Sequence, residues 1–191
     1  MNLRKLLCVV SLAMCCLPRL AWAASPTDTV KQLLDAMRSY TTASGSVNAS
    51  AQKVVEGTLP IQDLSKQVLG AHWAKLNAAE QKNFVQLLRD LLQKVAYPKS
   101  AEFFGDLQIE VVNERIRGTE AVVETMVSHP KEGQVTIEYK LQQAGERWTI
   151  SDVLLDGVSL VTNVRTQMQQ VITKESYQGL LKRMREKLTE S

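Results

Sequence analysis

The sequence predicts an α+β domain in which helices pack on one face of a curved antiparallel four-stranded meander. Three observations predict it. Apolar residues recur with helical spacing up to about residue 104, alternate with a period of two from residue 107 to 155, and return to helical spacing after Gly157. This helix-sheet-helix order is typical of α+β domains. A concave sheet closed by helices encloses either a solid core or a cavity, and the pattern alone does not decide between them.

The chain begins with the features of a cleavable secretory signal over residues 1–23. A basic start is followed by an apolar run over residues 6–17 and then by Ala21-Trp22-Ala23, which places small residues at the two positions that a signal peptidase inspects. Cleavage after this motif would leave one domain over residues 24–191. The predicted destination is the periplasm.

Two alternatives to cleavage are weaker. The apolar run is interrupted by Pro18 and Arg19, and it is shorter than the roughly 20 residues that span a bilayer, which disfavours a retained membrane helix. A lipidation site at Cys15 is disfavoured because Met14 is bulky where such sites have small residues.

The composition of the exported part excludes several classes of function. Three of the 23 Lys and Arg residues and none of the 20 acidic residues lie in residues 1–23, so the remainder carries 20 of each and does not attract nucleic acid by net charge. A thiol nucleophile, a disulfide and a cysteine metal ligand are also excluded. All the cysteines lie in the signal: Cys8, Cys15 and Cys16.

The first half of the exported chain predicts a series of helices. Ser25-Pro26-Thr27-Asp28 combines a capping serine, a proline at the first helical position and an acid near the positive end of the helix dipole. Shorter helical patterns follow at residues 48–55 and 61–69, with a loop at residues 41–46 between the first two helices.

The clearest helix begins at Asn77, which forms a capping-box pattern with Glu80. We expect it to end at Tyr97-Pro98, because proline disfavours helical conformation in the preceding residue. One stripe of this helix is apolar and comprises Phe84, Leu87, Leu88, Leu91, Leu92 and Val95.

The alternating half predicts four strands separated by turns at Gly118, at Pro130 with Gly133, and at Gly145. The third run alternates apolar and polar side chains most regularly, so one face of the sheet is expected to be covered and the other solvated. The predicted strands span residues 107–117, 119–129, 134–142 and 147–155.

Residues suited to catalysis are few. His72 and His129 lie in unrelated segments, and there is no HExxH motif, phosphate-binding glycine loop or metal-ligand spacing. Asp152 is predicted to share its strand face with the apolar residues Trp148, Ile150 and Leu154. It could therefore act as a base of raised pKa together with Tyr139 or His129, as in a cavity-containing isomerase or hydrolase. The simpler interpretation is that Asp152 is a hydrogen-bonding group at a strand end and that Asp156 forms a turn.

Three segments resemble a known family. Residues 148–161, WTISDVLLDGVSLV, are similar to the terminal strand and following helix of the toluene-tolerance family, whose members include the MlaC-type periplasmic phospholipid-binding proteins of the Mla lipid-asymmetry pathway. Residues 177–182, YQGLLK, resemble its last helix, and residues 69–97 resemble its amphipathic segment. Length, export signal and element order also agree.

The resemblance implies a carrier and not an enzyme, with no cofactor and no metal. Family members hold acyl chains in an apolar cavity between sheet and helices, with the headgroup near its mouth. The implied partners are a phospholipid or related lipid, an inner-membrane ABC transporter complex and an outer-membrane lipoprotein complex. A periplasmic adaptor that binds proteins is a further alternative, which would present an exposed apolar patch.

The resemblance and the alternation together suggest which side chains line the cavity, although ordinary core packing accounts for each of them equally well. On the sheet side they are Ile109, Val111, Val123, Val127, Ile137, Tyr139, Ile150 and Leu154. On the helix side they are Leu33, Met37, Phe84, Leu88, Leu91, Phe103, Val161, Val164 and Met168.

Overall fold

A computed structural model describes residues 24–105, 107–129 and 133–190. The predicted export signal, its cysteines and the turn at Pro130 lie outside these ranges. The described helices are α1 (Pro26–Arg38), α2 (Ala49–Thr58), α3 (Ile61–Leu69), α4 (Ala78–Leu91), α5 (Tyr97–Phe104) and α6 (Leu160–Thr189), with a 3₁₀ turn at Gly70–Lys75 and a π turn at Leu92–Ala96.

The described residues form an antiparallel sheet of five strands in sequential order, so the prediction of four strands was one short. The strands are β1 (Gln108–Arg117), β2 (Glu120–His129), β3 (Gly133–Ala144), β4 (Arg147–Leu155) and β5 (Val158–Ser159). The extra strand arises because Asp156 and Gly157 have positive φ angles of 46° and 80°, which makes a two-residue hairpin turn that folds the chain back onto β4.

The predicted helix starts are confirmed. Ser25 and Asp28 form a reciprocal capping box at the start of α1, and Asn77 and Glu80 form another at the start of α4. In each box the cap side chain accepts from a backbone amide and the acid accepts from the cap amide, so two otherwise unpaired donors are satisfied. Asn48 caps α2 with its side-chain oxygen alone, which accepts from the amides of Ser50 and Ala51.

The expected stop at Tyr97-Pro98 was wrong, because the chain stays helical through it. Pro98 cannot donate to the carbonyl four residues earlier, and its ring would clash with that carbonyl in a regular α-helix. The π turn just before Pro98 widens the helix. The Tyr97 amide therefore donates to the carbonyl of Leu92, five residues earlier, and not to the carbonyl four residues earlier as in an α-helix. Pro98 then occupies the first turn of α5, where its missing amide is tolerated.

Helix α6 is interrupted at Ser176, which has φ 74° and ψ 171°. The Ser176 hydroxyl accepts from the amide of Gly179 at 3.4 Å and so caps the second half of the helix. A Cβ atom on Gly179 would lie 2.7 Å from the Cβ of Glu175, so the break requires glycine at this position. Arg183 closes the break by pairing with Glu175.

The buried apolar residues separate into two groups. The first, here called the sheet cluster, joins α1, α2 and α5 to the core face of the sheet. The second, here called the helical cluster, is formed by α3, α4 and the second half of α6 and comprises Val68, Leu69, Phe84, Leu87, Leu88, Tyr177, Leu180, Leu181 and Met184. The sheet cluster comprises Val30, Leu33, Leu34, Ala36, Met37, Tyr40, Ala51, Val55, Tyr97, Ala101, Leu107, Ala121, Val123, Val127, Ile137, Tyr139, Leu141 and Ile150.

Polar contacts hold α1 in place at both of its ends. At its start, the Thr27 amide donates to the carboxylate of Glu114 on β1 at 2.8 Å, which satisfies an unpaired amide at the helix N-terminus. At its end, Arg38 donates to the carbonyls of Phe104 and Leu107 at 3.2 and 2.7 Å. These contacts hold the wall of the sheet cluster in place.

The opposite face of the sheet is polar, as the alternation predicts. Arg115 on β1 lies within 3.7 Å of Glu124 on β2 and 4.0 Å of Glu138 on β3. Each of these side chains is substantially exposed, so the ion pairs contribute little to stability. The apolar partners of the sheet therefore lie on its other face.

Candidate functional site

The core face of the sheet carries seven of the eight predicted sheet-side residues. Strand pairing aligns Val111 with Thr125 and Ile137, and Ile109 with Val127, which places these side chains on one face. Val123, Val127, Ile137, Tyr139 and Ile150 are buried in the sheet cluster, and Ile109 and Val111 pack against it while keeping part of their surface exposed.

Leu154 does not lie on this face, contrary to the prediction. Lys140 pairs with Asp152 and Leu141 pairs with Ile150, so a bulge at Ser151 shifts the register of β4. After the bulge the alternation is inverted, and Val153, which pairs with Tyr139, takes the core position. Leu154 and Asp152 face the other side.

The predicted helix-side residues divide between the two clusters. Leu33 and Met37 of α1 are buried in the sheet cluster, whereas Phe84 and Leu88 of α4 are buried in the helical cluster. Those that pack against the helical cluster while remaining partly exposed are Leu91, Val161 and Met168.

Two predicted helix-side residues lie on the surface. Phe103 is 56% exposed and Val164 is 37% exposed. Phe103 contacts the ring of Phe104 edge-on at 5.2 Å near the end of α5. Val164 shares one face of α6 with the exposed Leu160.

The boundary between the two clusters is apolar. Leu92, in the π turn, packs against both clusters and is only half-buried. Leu59 reaches the boundary from the sheet cluster and Ile61 from the helical cluster. We call this apolar boundary between the sheet cluster and the helical cluster the seam.

Tyr139 shows how dry the sheet cluster is. The residue is 3% exposed, and its hydroxyl forms no hydrogen bond of normal geometry with any described residue. Burial raises the pKa of Tyr139 to about 12, and the nearby Thr125 hydroxyl opposes that shift. Thr125 itself donates to the carbonyl of Ile137 at 3.2 Å. A hydroxyl held here is a neutral group in apolar surroundings.

The raised pKa predicts a loss of stability in alkali. Below pH 10 Tyr139 is protonated in both states, but between about pH 10 and 12 the unfolded chain releases a proton that the folded chain retains. Unfolding free energy should fall by up to about 1.4 kcal/mol per pH unit from this residue. Burial also raises the pKa of Tyr97, which adds to the loss.

The comparison of wild type with Tyr139→Phe isolates this effect. Urea denaturation midpoints at pH 8 and pH 11 should differ less in the variant than in wild type. An equally steep decline in both would contradict the assignment.

Asp152 is a structural hydrogen-bonding group that joins β4 to α6. It accepts from the Ser159 hydroxyl at 2.7 Å and from the Val161 amide at 3.2 Å. Ser159 in turn caps α6 through the Thr162 amide at 3.0 Å. The carboxylate therefore lies at the positive end of the helix dipole. Tyr139, its suggested catalytic partner, faces the opposite side of the sheet.

Replacing Asp152 by Ala should destabilise the fold by about 1–3 kcal/mol, because two donors at the start of α6 lose their acceptor. Urea denaturation measures this loss, and the lipid content of the purified protein should not change. An unchanged unfolding free energy would show that these contacts do not support α6.

The remaining candidate residues also have structural contacts. The His72 ring lies 5.1 Å from that of Tyr177, tilted by 32°. The side chain of His129 lies outside the described part. Lys182, Arg183, Arg185 and Lys187 form a basic face near the end of α6. Lys182 and Arg183 pair with Glu186 and Glu175 respectively, and Lys187 pairs with Glu190, which follows the helix.

Two searches of the described ranges bear on other kinds of site. No group of His, Cys, Asp and Glu side chains there could hold a metal ion. Among the helices in those ranges, none combines the length and the apolar character that crossing a bilayer requires.

The sequence reasoning missed several residues of the seam. Leu92 was placed on the apolar stripe of its helix but was not proposed for the site. Val153 was not proposed either, because a regular alternation would place it on the opposite face from Ile150. Leu59 and Ile61 flank Pro60, a residue typical of loops. Nothing in the local sequence indicates that both side chains lie at the boundary between the two clusters. Trp148 packs against the sheet cluster and keeps part of its surface exposed.

Comparison with known proteins gives a consistent result. The MlaC protein family matches residues 27–186. A phospholipid-binding protein from Ralstonia solanacearum, solved in complex with a phospholipid, superposes with a TM-score of 0.66 at 17% identity, covering 86% of this chain and 94% of that one. No curated protein matches the chain. The extent of the family match shows that this protein is a member of the MlaC family.

Proposed function

We propose that this protein is a soluble periplasmic carrier that holds phospholipid acyl chains between its sheet and its helices. The observation that carries the proposal is the apolar seam between two separate clusters, found in a member of the MlaC family. The Ralstonia solanacearum protein of the same fold was solved with a phospholipid, which supports the same ligand class here. Export by a cleaved signal over residues 1–23 accounts for the location.

We propose that the acyl chains contact partly exposed apolar side chains that pack against one or both of the clusters. The fully buried residues, such as Val123 and Phe84, then act as rigid walls behind them. The contacting residues are Ile109, Val111, Trp148 and Val153 on the sheet side, and Leu91, Leu92, Val161 and Met168 on the helix side.

The energetics of such a ligand require a partner for release. Burying about 30 methylenes at roughly 0.8 kcal/mol each amounts to about 25 kcal/mol gross. Spontaneous transfer into water would be very slow, so unloading needs an equally apolar destination. We therefore also propose that the carrier exchanges lipid with an outer-membrane lipoprotein complex and an inner-membrane ABC transporter complex.

Native mass spectrometry of protein exported with its own signal and purified without detergent tests the proposal. A carrier should show mass added in phospholipid-sized increments, and the extracted lipid should contain phosphorus. A spectrum of bare protein alone, from cells in which the protein is correctly processed, would contradict it.

A protein-binding adaptor is the second candidate, and one observation favours it. Leu160 and Val164 lie on the same exposed face of α6, and Val158 immediately precedes this helix with 59% of its surface exposed. Exposed apolar side chains grouped in this way are typical of protein contacts. The adaptor predicts bare protein in the same spectrum.

A further inference from the structure

A small polar pocket opens where the two apolar clusters meet. Its volume is about 140 Å³, below the roughly 300–1,000 Å³ of sites that enclose whole ligands. It therefore has room for one polar portion of a larger molecule. Its lining is Glu56, Leu59, Ile61, Arg89, Gln93 and Tyr97.

The pocket adjoins the seam on both sides. Leu59 packs against the sheet cluster and Ile61 against the helical cluster, and both line the pocket. Gln93 belongs to the π turn that also carries Leu92, and Tyr97 ends that turn. Local π geometry occurs frequently at functional sites. A molecule with its apolar part in the seam would place its polar end here.

The pocket contains two opposite charges that do not neutralise each other. Glu56 accepts hydrogen bonds from Gln52 at 2.8 Å and from Gln93 at 2.5 Å, both through Oε1. Arg89 donates to the Gln86 amide oxygen at 3.0 Å. Within the described ranges, no ion pair joins Arg89 to Glu56 or to another carboxylate. A cation and an anion are thus both available to a ligand.

Two tyrosines lie behind these charges. The rings of Tyr40 and Tyr97 meet edge-on at 5.3 Å. The buried hydroxyl of Tyr40 has no hydrogen-bond partner among the described residues. Burial raises the pKa of Tyr97, Tyr40 and Glu56 raise it further, and Arg89 opposes them. The Tyr97 hydroxyl consequently stays neutral at physiological pH and can donate a hydrogen bond.

We propose that this pocket binds the zwitterionic headgroup of a phospholipid, with the phosphate at Arg89 and Tyr97 and the ammonium group at Glu56. A guanidinium binds phosphate oxygens through paired hydrogen bonds, and a carboxylate favours an ammonium over a second anion or a neutral polyol. The inference rests on the proposed carrier function and adds headgroup selection to it. Glu56 is exposed, and exposed ion pairs contribute little free energy. We therefore expect the protein to prefer zwitterionic over anionic phospholipid by about fivefold.

Competitive loading tests this selection. The full exported protein is stripped of lipid and incubated with vesicles containing equal amounts of phosphatidylethanolamine and phosphatidylglycerol, and the bound lipids are counted by native mass spectrometry. Wild type should carry about five times more of the zwitterionic lipid. Glu56→Gln should bring the ratio close to one with total loading retained, and Arg89→Gln should lower the loading of both lipids. Lys53→Gln and Glu102→Gln, at exposed positions outside the pocket, serve as charge-matched controls and should behave as wild type.

The outcomes separate this inference from the carrier function. If wild type loads both lipids in equal amounts, and Glu56→Gln and Arg89→Gln load them as wild type does, the headgroup site is wrong. The carrier function is not affected by that result. Absence of lipid from every variant and from wild type overturns the carrier as well. A further arm uses soluble glycerophosphoethanolamine. Suppose that this compound binds wild type but not Arg89→Gln, and that the ratio of the two bound lipids is the same in wild type and in every variant. The pocket then binds a free zwitterion, and the headgroup assignment is wrong.

Discussion

Leu92→Asp is expected to remove bound phospholipid from the purified protein. Leu92 packs against both apolar clusters at the seam, and a carboxylate there would have to lose its hydration for an acyl chain to lie beside it. A penalty of several kcal/mol corresponds to more than a tenfold loss of affinity. Lipid phosphorus per protein should fall below about a tenth of the wild-type value.

Two further variants make this result interpretable. Val54→Asp places the same charge on the exposed side of α2, where Val54 is 37% exposed, and it should retain lipid. Leu92→Met keeps the volume and apolar character and should also retain it. A Leu92→Asp protein that has a wild-type circular dichroism spectrum and still carries normal lipid would remove Leu92 from the site.

Phe84→Ala is expected to cause a large loss of stability, of about 3–5 kcal/mol, because it leaves a cavity in the helical cluster. Phe84 is completely buried between α3, α4 and α6. For a chain of this size the melting temperature should fall by about 6–20 °C. Thermal unfolding followed by circular dichroism measures the change.

Phe103→Ala is the matched control. It removes the same side chain from a position that is 56% exposed, so its unfolding free energy should change by no more than about 0.5 kcal/mol. Equal losses in the two variants would contradict the assignment of Phe84 to the centre of the helical cluster.

Local patterns in the sequence predicted the apolar faces of α4 and β3 correctly. The alternation in β3 correctly indicates that Ile137, Tyr139 and Leu141 face the core, because side chains of a strand alternate without exception unless a bulge intervenes. The capping serine at Ser25 and the capping-box pattern at Asn77 predicted the starts of α1 and α4, because the groups that cap a helix lie within four residues of one another.

Features that depend on tertiary contacts or on a register shift were not predictable in this way. The bulge at Ser151 moves the side chain of Leu154 to the opposite face of the sheet. No glycine in the sequence indicates this bulge. The π turn before Pro98 keeps the chain helical where a simple proline rule ends it. Ser176 adopts a positive φ angle that a serine seldom adopts.

The seam itself shows the same limit. Leu33 and Phe84 have equivalent amphipathic patterns, yet they lie in different clusters. Periodicity identifies the buried face of a helix but not the element that covers it. The pocket that contains Glu56 and Arg89 is formed by residues from α2 and α4. These two residues are far apart in the sequence, so no local pattern indicates that they lie close together.

Photo-crosslinking with a phospholipid that carries a diazirine on one acyl chain tests most directly whether acyl chains lie between the sheet cluster and the helical cluster. After loading, irradiation and peptide mapping, we expect modified peptides that contain Leu92 or Met168 from the helices and Val153 from the sheet. Labelling confined to the polar outer face of the sheet, around Arg115 and Glu138, would contradict it.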